Sequence, residues 1–160
     1  KGSIKMIEEL KKWLSFIVGK KLKSVYGLIY FFEVGDTNHP QELQVVFEAA
    51  MIKKISCSSD GATMLIQDSP MIESELGEYG KQLIRDISDM PPFERVIGEE
   101  LHGVDIITSG VEQGVVGLRF KFSNSKKIDI LTLGDEISFY EMTPLKIIEE
   151  EGLSFLSIYE

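Results

Sequence analysis

The sequence has a single cysteine, two histidines and no long hydrophobic run. Because Cys57 is alone, no disulfide can form within the chain, and cysteine usage gives no sign of an oxidising compartment. We therefore expect a cytoplasmic protein. No apolar segment approaches the ~18 residues of a membrane span. The N-terminal region also lacks the apolar core and cleavage site of a signal peptide, so we expect no membrane association.

Positive charge is also in short supply, with 17 lysine and arginine residues against 26 aspartate and glutamate residues and a net charge of −9. An acidic protein gains nothing from a phosphate backbone, so we predict no nucleic-acid binding. The same charge would speed encounter with a basic protein partner, although it also serves solubility alone. The oligomeric state cannot be inferred from composition.

The motifs of common catalytic sites are missing as well. The sequence contains no GxGxxG, Walker A, GxSxG or HExxH pattern. His39 lies in a proline-containing segment and His102 beside Gly103, and neither has a second ligand at metal-binding spacing. Cys57 lies in a predicted strand, where a small packed thiol is the simplest interpretation. We predict no catalytic residue, no metal and no cofactor, and we expect that the protein is not an enzyme.

What the sequence does contain is a weak internal repeat within a single domain of residues 1–160. Residues 97–104 resemble residues 18–25 at an offset of 79, with Gly, Leu and Val shared. Two shorter matches follow in the same order. Lys53-Lys54-Ile55 matches Lys126-Lys127-Ile128 at an offset of 73, and Ser69-Pro70 matches Thr143-Pro144 at 74. The pattern favours a duplication of residues 18–70 and 97–144. Chance similarity of short apolar strands is the alternative.

Hydrophobic spacing gives the expected elements. Apolar residues at helical spacing predict an amphipathic helix over residues 4–18, with Trp13 packed against a sheet. Each copy of the repeat predicts four strands. Apolar residues at steps of four and three then predict a middle helix within residues 71–92: Ile72, Leu76, Tyr79, Leu83 and Ile87. We predict an α+β fold with a mostly antiparallel sheet, two duplicated four-strand meanders and these two helices.

Four acidic residues cluster in the second copy: Glu99, Glu100, Asp105 and Glu112. Paired carboxylates can perform acid–base chemistry or bind a divalent cation. Adjacent strand residues point to opposite faces, however, so Glu99 and Glu100 cannot simply converge. We predict these four residues as the surface that binds a basic partner.

The second copy also carries a resemblance. Residues 96–104 contain a G-x-x-L-x-x-V strand, residues 117–122 an L-x-F strand, and residues 133–137 a GDE turn. This arrangement, over residues 95–141, is similar to that of small bacterial families of unknown function, several of which resemble immunity proteins that neutralise toxins by binding. The resemblance implies a bacterial, cytoplasmic, non-enzymatic protein and supplies no catalytic residues.

Two functional hypotheses remain at this stage. The first is a protein-binding module, immunity-like, that offers an acidic surface to a basic partner. The second is a small-ligand-binding protein or an enzyme with a cleft between the two halves. A flat acidic patch would favour the first hypothesis, whereas a concave site with convergent polar groups would favour the second.

Overall fold

The computed structural model describes the backbone of residues 2–159 and the side chains of residues 5–159. It confirms an α+β fold in which the sheet is mostly antiparallel. The helices and strands have the following bounds: α1 Gly2–Ile17, β1 Leu22–Phe32, β2 Val34–Gly35, β3 Glu42–Phe47, β4 Lys54–Cys57, β5 Met64–Gln67, β6 Ser74–Glu75, β7 Lys81–Asp86, β8 Leu101–Thr108, β9 Val115–Phe122, β10 Lys127–Leu131, β11 Ser138–Tyr140, α2 Leu145–Glu151 and β12 Ser154–Ser157. Short 3-10 turns span Gly77–Tyr79, Phe93–Arg95 and Leu133–Asp135.

The strands form two sheets whose inner faces share one hydrophobic core. The first sheet has the order β5-β4-β3-β1-β7-β6, with β2 paired to β1, and the second has the order β11-β10-β9-β8-β12. The rings of Phe47 and Phe120, one from each sheet, lie 6.1 Å apart in this core. Alternating apolar residues on facing strands therefore hold the sheets together as a sandwich.

The amphipathic helix is confirmed as α1, which packs its apolar face into the same core. Leu14 and Ile17 are fully buried, and Trp13 is 5% exposed, so its predicted burial is confirmed. The Trp13 indole also donates a hydrogen bond to the Met51 carbonyl at 3.4 Å. Among the described residues, no helix is long and apolar enough to cross a membrane.

The predicted middle helix is wrong. Residues 74–75 and 81–86 form strands β6 and β7, and only the turn Gly77–Tyr79 between them is helical. Apolar residues four apart fit the period of a strand as well as that of a helix, so the spacing alone could not decide. Pairing of β7 with β1, for example of Leu83 with Ile29, decides in favour of the strand. Ile72, expected on the apolar stripe, is 71% exposed.

The two halves of the chain have the same strand order. In the first half β1, β3, β4 and β5 are neighbours in sequence order, and in the second half so are β8, β9, β10 and β11. In each half a fifth strand, β7 or β12, then pairs antiparallel with the free side of the first strand. The sequence predicted four strands in each copy of the repeat and did not include this fifth strand.

Reciprocal backbone contacts relate the halves by an approximate twofold axis at a bridge between Lys21 and Glu100. The Gly19 amide donates to the Leu101 carbonyl at 2.7 Å, and the Gly98 amide donates to the Leu22 carbonyl at 2.7 Å. Both glycines have left-handed backbone conformations, with φ of 92° and 86°, which a side chain would oppose. The glycines are those that the repeat aligned at an offset of 79. Descent of the two halves from one ancestor stays a prediction.

The strand register also corrects one detail of the repeat. Gln44 pairs with Lys54 in the first half, and Arg119 pairs with Asp129 in the second, so both strands are related by an offset of 75 (119 minus 44, and 129 minus 54). The match of the two lysine pairs at 73 is therefore two residues out of register.

A polar cleft as candidate functional site

A cleft of about 490 Å³ opens where loop residues of the first half meet a turn of the second half. Its floor includes Leu28, Glu42 and Ser56, which lie side by side across β1, β3 and β4. Its rim combines residues 39–41, which lead into β3, with residues 135–137, which lead into β11. The cleft is thus assembled from segments about a hundred residues apart in the chain.

Carboxylates dominate the charge of the cleft. Asp36, Glu42, Asp135 and Glu136 line it, and of the residues that the structure describes no lysine or arginine does. Lys54, from just outside the lining, approaches the Glu42 carboxylate at 3.1 Å and offsets one of these charges. A concave surface lined by one sign of charge concentrates the electrostatic field, so the cleft attracts cations.

His39 is held at the rim by its Nδ1 atom. This nitrogen lies 3.2 Å from the Ile137 carbonyl oxygen and 3.4 Å from Glu136 Oε1. Both partners are acceptors, so Nδ1 carries a proton. In the neutral ring Nε2 is then the acceptor, and in the charged ring it becomes a second donor.

Cys57 lies on the same cleft, in an environment that keeps it a thiol. Burial, followed by the negative charges of Asp135, Glu136 and Asp60, raises the pKa of Cys57 to about 11. Its Sγ donates a weak hydrogen bond to the Thr132 carbonyl at 3.8 Å. Reactive cysteines need the opposite, a positive environment that favours the thiolate. His39 and Cys57 nevertheless line the same cleft, a proximity that the sequence does not show.

The structure does not bring together the four acidic residues predicted from sequence. Glu99 and Glu100 precede β8, where Ser123 Oγ donates to Glu99 at 3.1 Å. Asp105 accepts a hydrogen bond from Lys121 at 2.7 Å, so its charge is already paired. Glu112 follows the far end of β8, whose residues rise by roughly 3.3 Å each. None of the four lines the cleft, and partner binding at these residues stays a prediction.

A second cleft, of about 280 Å³, lies between α1 and β5 and is more apolar. Two of the charged groups that line it, Asp60 and Lys53, have partners. Asp60 accepts hydrogen bonds from Ser58 and Thr63, which lower its pKa, and Lys53 pairs with Asp68. The 490 Å³ cleft, with its larger set of polar side chains, is the stronger candidate for a ligand site.

The sequence offered one signal for the larger cleft. The turn at Gly134-Asp135-Glu136 carried part of the family resemblance and supplies two of the four carboxylates. Most of the remaining residues lie on β1, β3, β4 and β7 or in the loop before β3, and they share no motif with this turn. In the described part of the chain, no group of three or more histidine, cysteine or acidic residues is arranged to hold a metal ion.

The second half shows what the first half lacks at this place. The strand offsets match the cleft residues Leu28, Gln41, Ser56 and Gln82 with Ile107, Val116, Leu131 and Leu153. Those four residues form a buried apolar cluster, against which Ile147 and Ile148 of α2 pack. The same part of the framework is therefore apolar and sealed by α2 in one half and polar in the other, where Gln41 is exposed while Leu28 and Ser56 are 4% and 8% exposed at the bottom of the cleft.

No family model, curated protein or solved structure matches this chain.

Proposed function

We propose that the protein is a non-enzymatic binding module whose polar cleft holds a cationic group, either a guanidinium or an ammonium, presented by a basic protein partner. The observation that carries this proposal is the charge of the cleft, which is lined by four carboxylates and, within the described part of the chain, by no lysine or arginine. Charge-assisted hydrogen bonds to carboxylates are the strongest that such a group can make. The resemblance to immunity-like bacterial families and the expected cytoplasmic location fit the same function.

The chemistry of the cleft supports binding over catalysis. A nucleophilic role for Cys57 would need a thiolate, but burial and nearby carboxylates raise its pKa to about 11. His39 Nδ1 faces the Ile137 carbonyl and the Glu136 carboxylate, so it is oriented by the rim of the cleft rather than by Cys57. Fixed polar groups of this kind suit recognition of a charged ligand.

Titration calorimetry on the full chain tests the proposal, with an arginine-rich peptide and acetyl-arginine amide as probes. We expect the peptide to bind, with an affinity that falls as salt rises because exposed charges are screened. The double variant Asp135→Asn/Glu136→Gln should bind at least about tenfold more weakly, a loss of ~1.4 kcal/mol.

The matched control is Glu149→Gln/Glu150→Gln, which removes the same charge from the exposed end of α2. It should bind the peptide almost as well as the unchanged protein. Equal losses in both variants would show that net charge alone attracts the peptide. If neither the peptide nor acetyl-arginine amide binds, the proposal is refuted.

The shape of the cleft favours a second candidate, a small-ligand-binding protein, because the site is concave and polar rather than the flat acidic patch expected of a protein-binding module, and both halves contribute to it. The excess of carboxylates in the cleft is what favours a cationic group of a protein partner. The acetyl-arginine amide titration separates the two. If this small molecule binds as tightly as the peptide, the cleft itself supplies the affinity and a free cation is the better ligand.

A further inference from the structure

We infer that the outer face of the first sheet, at the cleft, is a docking surface for a short basic helix of a partner protein, seated as α2 is seated on the second sheet. The inference rests on the proposed function and specifies the segment that carries the cation. It is argued from the comparison of the two halves, which share one framework but cover it differently.

The connection before the fifth strand differs between the halves. In the second half, residues between β11 and β12 fold into α2, and Ile147 and Ile148 cover the outer face of the sheet. In the first half, residues between β5 and β7 form β6 instead, which pairs with β7 and extends the edge of the sheet. Among the described residues, no helix of the first half takes the place of α2.

The uncovered face is adapted to water and to charge. Gln41, Ser56 and Gln82 stand where Val116, Leu131 and Leu153 form the apolar cluster of the second half. Gln82 Oε1 already accepts a hydrogen bond from Ser74 at 2.9 Å, but an apolar helix like α2 would offer no partner to the other polar atoms of this face. Polar and cationic side chains would instead pair with them and with the carboxylates of the cleft. Charge complementarity therefore selects a basic helix.

The size of the required helix follows from α2, which has seven residues. At 1.5 Å per residue such a helix is about 10 Å long, or roughly two turns. Residues four apart lie on one side of a helix. A partner helix with arginines at that spacing would direct all of them toward the cleft.

The experiment measures binding of three probes to the full chain. The first is an acetylated and amidated alanine peptide with arginine at every fourth position. The second is the same peptide with central alanines replaced by proline, and the third is acetyl-arginine amide. We expect the first peptide to bind at least about tenfold more tightly than the second, because proline prevents the helix. Its circular dichroism should gain helical signal on binding.

The docking position is tested with Gln82→Lys, which adds a positive charge at the cleft. Its matched control is Gln67→Lys, on the same sheet but outside the cleft lining. We expect Gln82→Lys to weaken binding of the helical peptide at least about tenfold. Gln67→Lys should change the affinity for this peptide little. Equal weakening would overturn the assigned position.

The remaining outcomes separate this inference from the proposed function. If both peptides bind equally, or if acetyl-arginine amide binds as tightly as the helical peptide, the helix inference fails while cation binding in the cleft stands. If no probe binds, the proposed function fails, and the helix inference fails with it.

Discussion

The two halves of this protein share a framework of five strands but use its outer face differently. In the second half, Ile107, Gly117 and Leu131 lie in one row across three strands, under α2. The matching row of the first half is Leu28, Glu42 and Ser56, and it forms the floor of an open cleft. A few side chains on an unchanged framework therefore determine whether a sheet face is packed or available to a ligand.

The neighbouring row shows the same contrast in its charges. In the second half, Arg119 donates from Nε and Nη2 to the Asp129 carboxylate at 2.7 and 2.9 Å, and Thr143 donates its amide and hydroxyl to the same group. Hydrogen bonding to Asp129 raises the pKa of Arg119. The matching pair in the first half, Gln44 and Lys54, forms no such buried network, and Lys54 pairs with Glu42 at the cleft.

The largest expected effect is that of Asp129→Ala. Asp129 is completely buried, so its loss leaves the Arg119 cation and two Thr143 donors without their partner. We expect a loss of ~3–5 kcal/mol in the free energy of unfolding, the usual result of breaking a buried pair. Urea denaturation measures it. The matching substitution in the first half, Lys54→Ala, should cost less, because the Glu42 carboxylate that it leaves is 23% exposed and can be solvated from the cleft. Equal losses for Asp129→Ala and Lys54→Ala would show that the buried network around Asp129 does not set the second half apart from the first.

Trp13→Ala tests the element that only the first half possesses. The helix α1 precedes β1, whereas the segment before β8 is a short turn, and Trp13 is almost fully buried in the core. Truncation of a large core aromatic should cost ~3–5 kcal/mol of unfolding free energy. Phe16→Ala, on the exposed side of the same helix, should change stability by less than ~0.5 kcal/mol. A Trp13→Ala protein of unchanged stability would mean that α1 contributes little to the core.

Gly117→Ala tests whether the row of Ile107, Gly117 and Leu131 packs closely because its central residue has no side chain. A Cβ at this position would lie 2.5 Å from the Ile130 carbonyl oxygen and 2.6 Å from a Leu131 methyl group, so the strands would have to shift. We expect a loss of ~1–3 kcal/mol in the free energy of unfolding, as for other overpacked cores. Glu42→Ala at the matching position should cost less, because that side chain borders the open cleft. Urea denaturation measures both losses. A larger loss for Glu42→Ala than for Gly117→Ala would contradict the difference in packing between the two rows.

The sequence predicted those features that local patterns determine. Period and turn signals were sufficient for α1 and for the four strands of each half. They failed over residues 71–92, because steps of four fit either a helix or a strand, and pairing with the distant β1 decides between them. They also aligned the lysine pairs two residues out of register. Identical residue types are weaker evidence than strand pairing that two positions are structurally equivalent.

The candidate site could not have been predicted in the same way. Asp36, His39 and Glu42 are close in sequence to one another, but Asp135 and Glu136 come from the other half of the chain. Only the packing of the two sheets brings these groups together. The acidic cluster at residues 99–112 was easier to see in the sequence, yet one of its members, Asp105, is paired with Lys121.

The smallest expected effect concerns the reactivity of Cys57, whose matching position in the second half is Thr132 by the offset of 75. An ordinary cysteine has a pKa near 8.5, whereas that of Cys57 is raised to about 11 by burial and then by Asp135, Glu136 and Asp60. The thiolate is the reactive form. At mildly alkaline pH we therefore expect native Cys57 to react with iodoacetamide on the order of a hundredfold more slowly than the unfolded chain. The rate should keep rising with pH through the range where the rate of a free cysteine has already levelled off.

Asp135→Asn/Glu136→Gln should speed the native reaction at a given pH, and Glu149→Gln/Glu150→Gln should not. If native Cys57 reacted as fast as in the unfolded chain, burial would not raise its pKa. If the Asp135→Asn/Glu136→Gln variant reacted no faster than the unchanged protein, the cleft would lack the negative field that its carboxylates imply, and the electrostatic contrast between the halves would be lost.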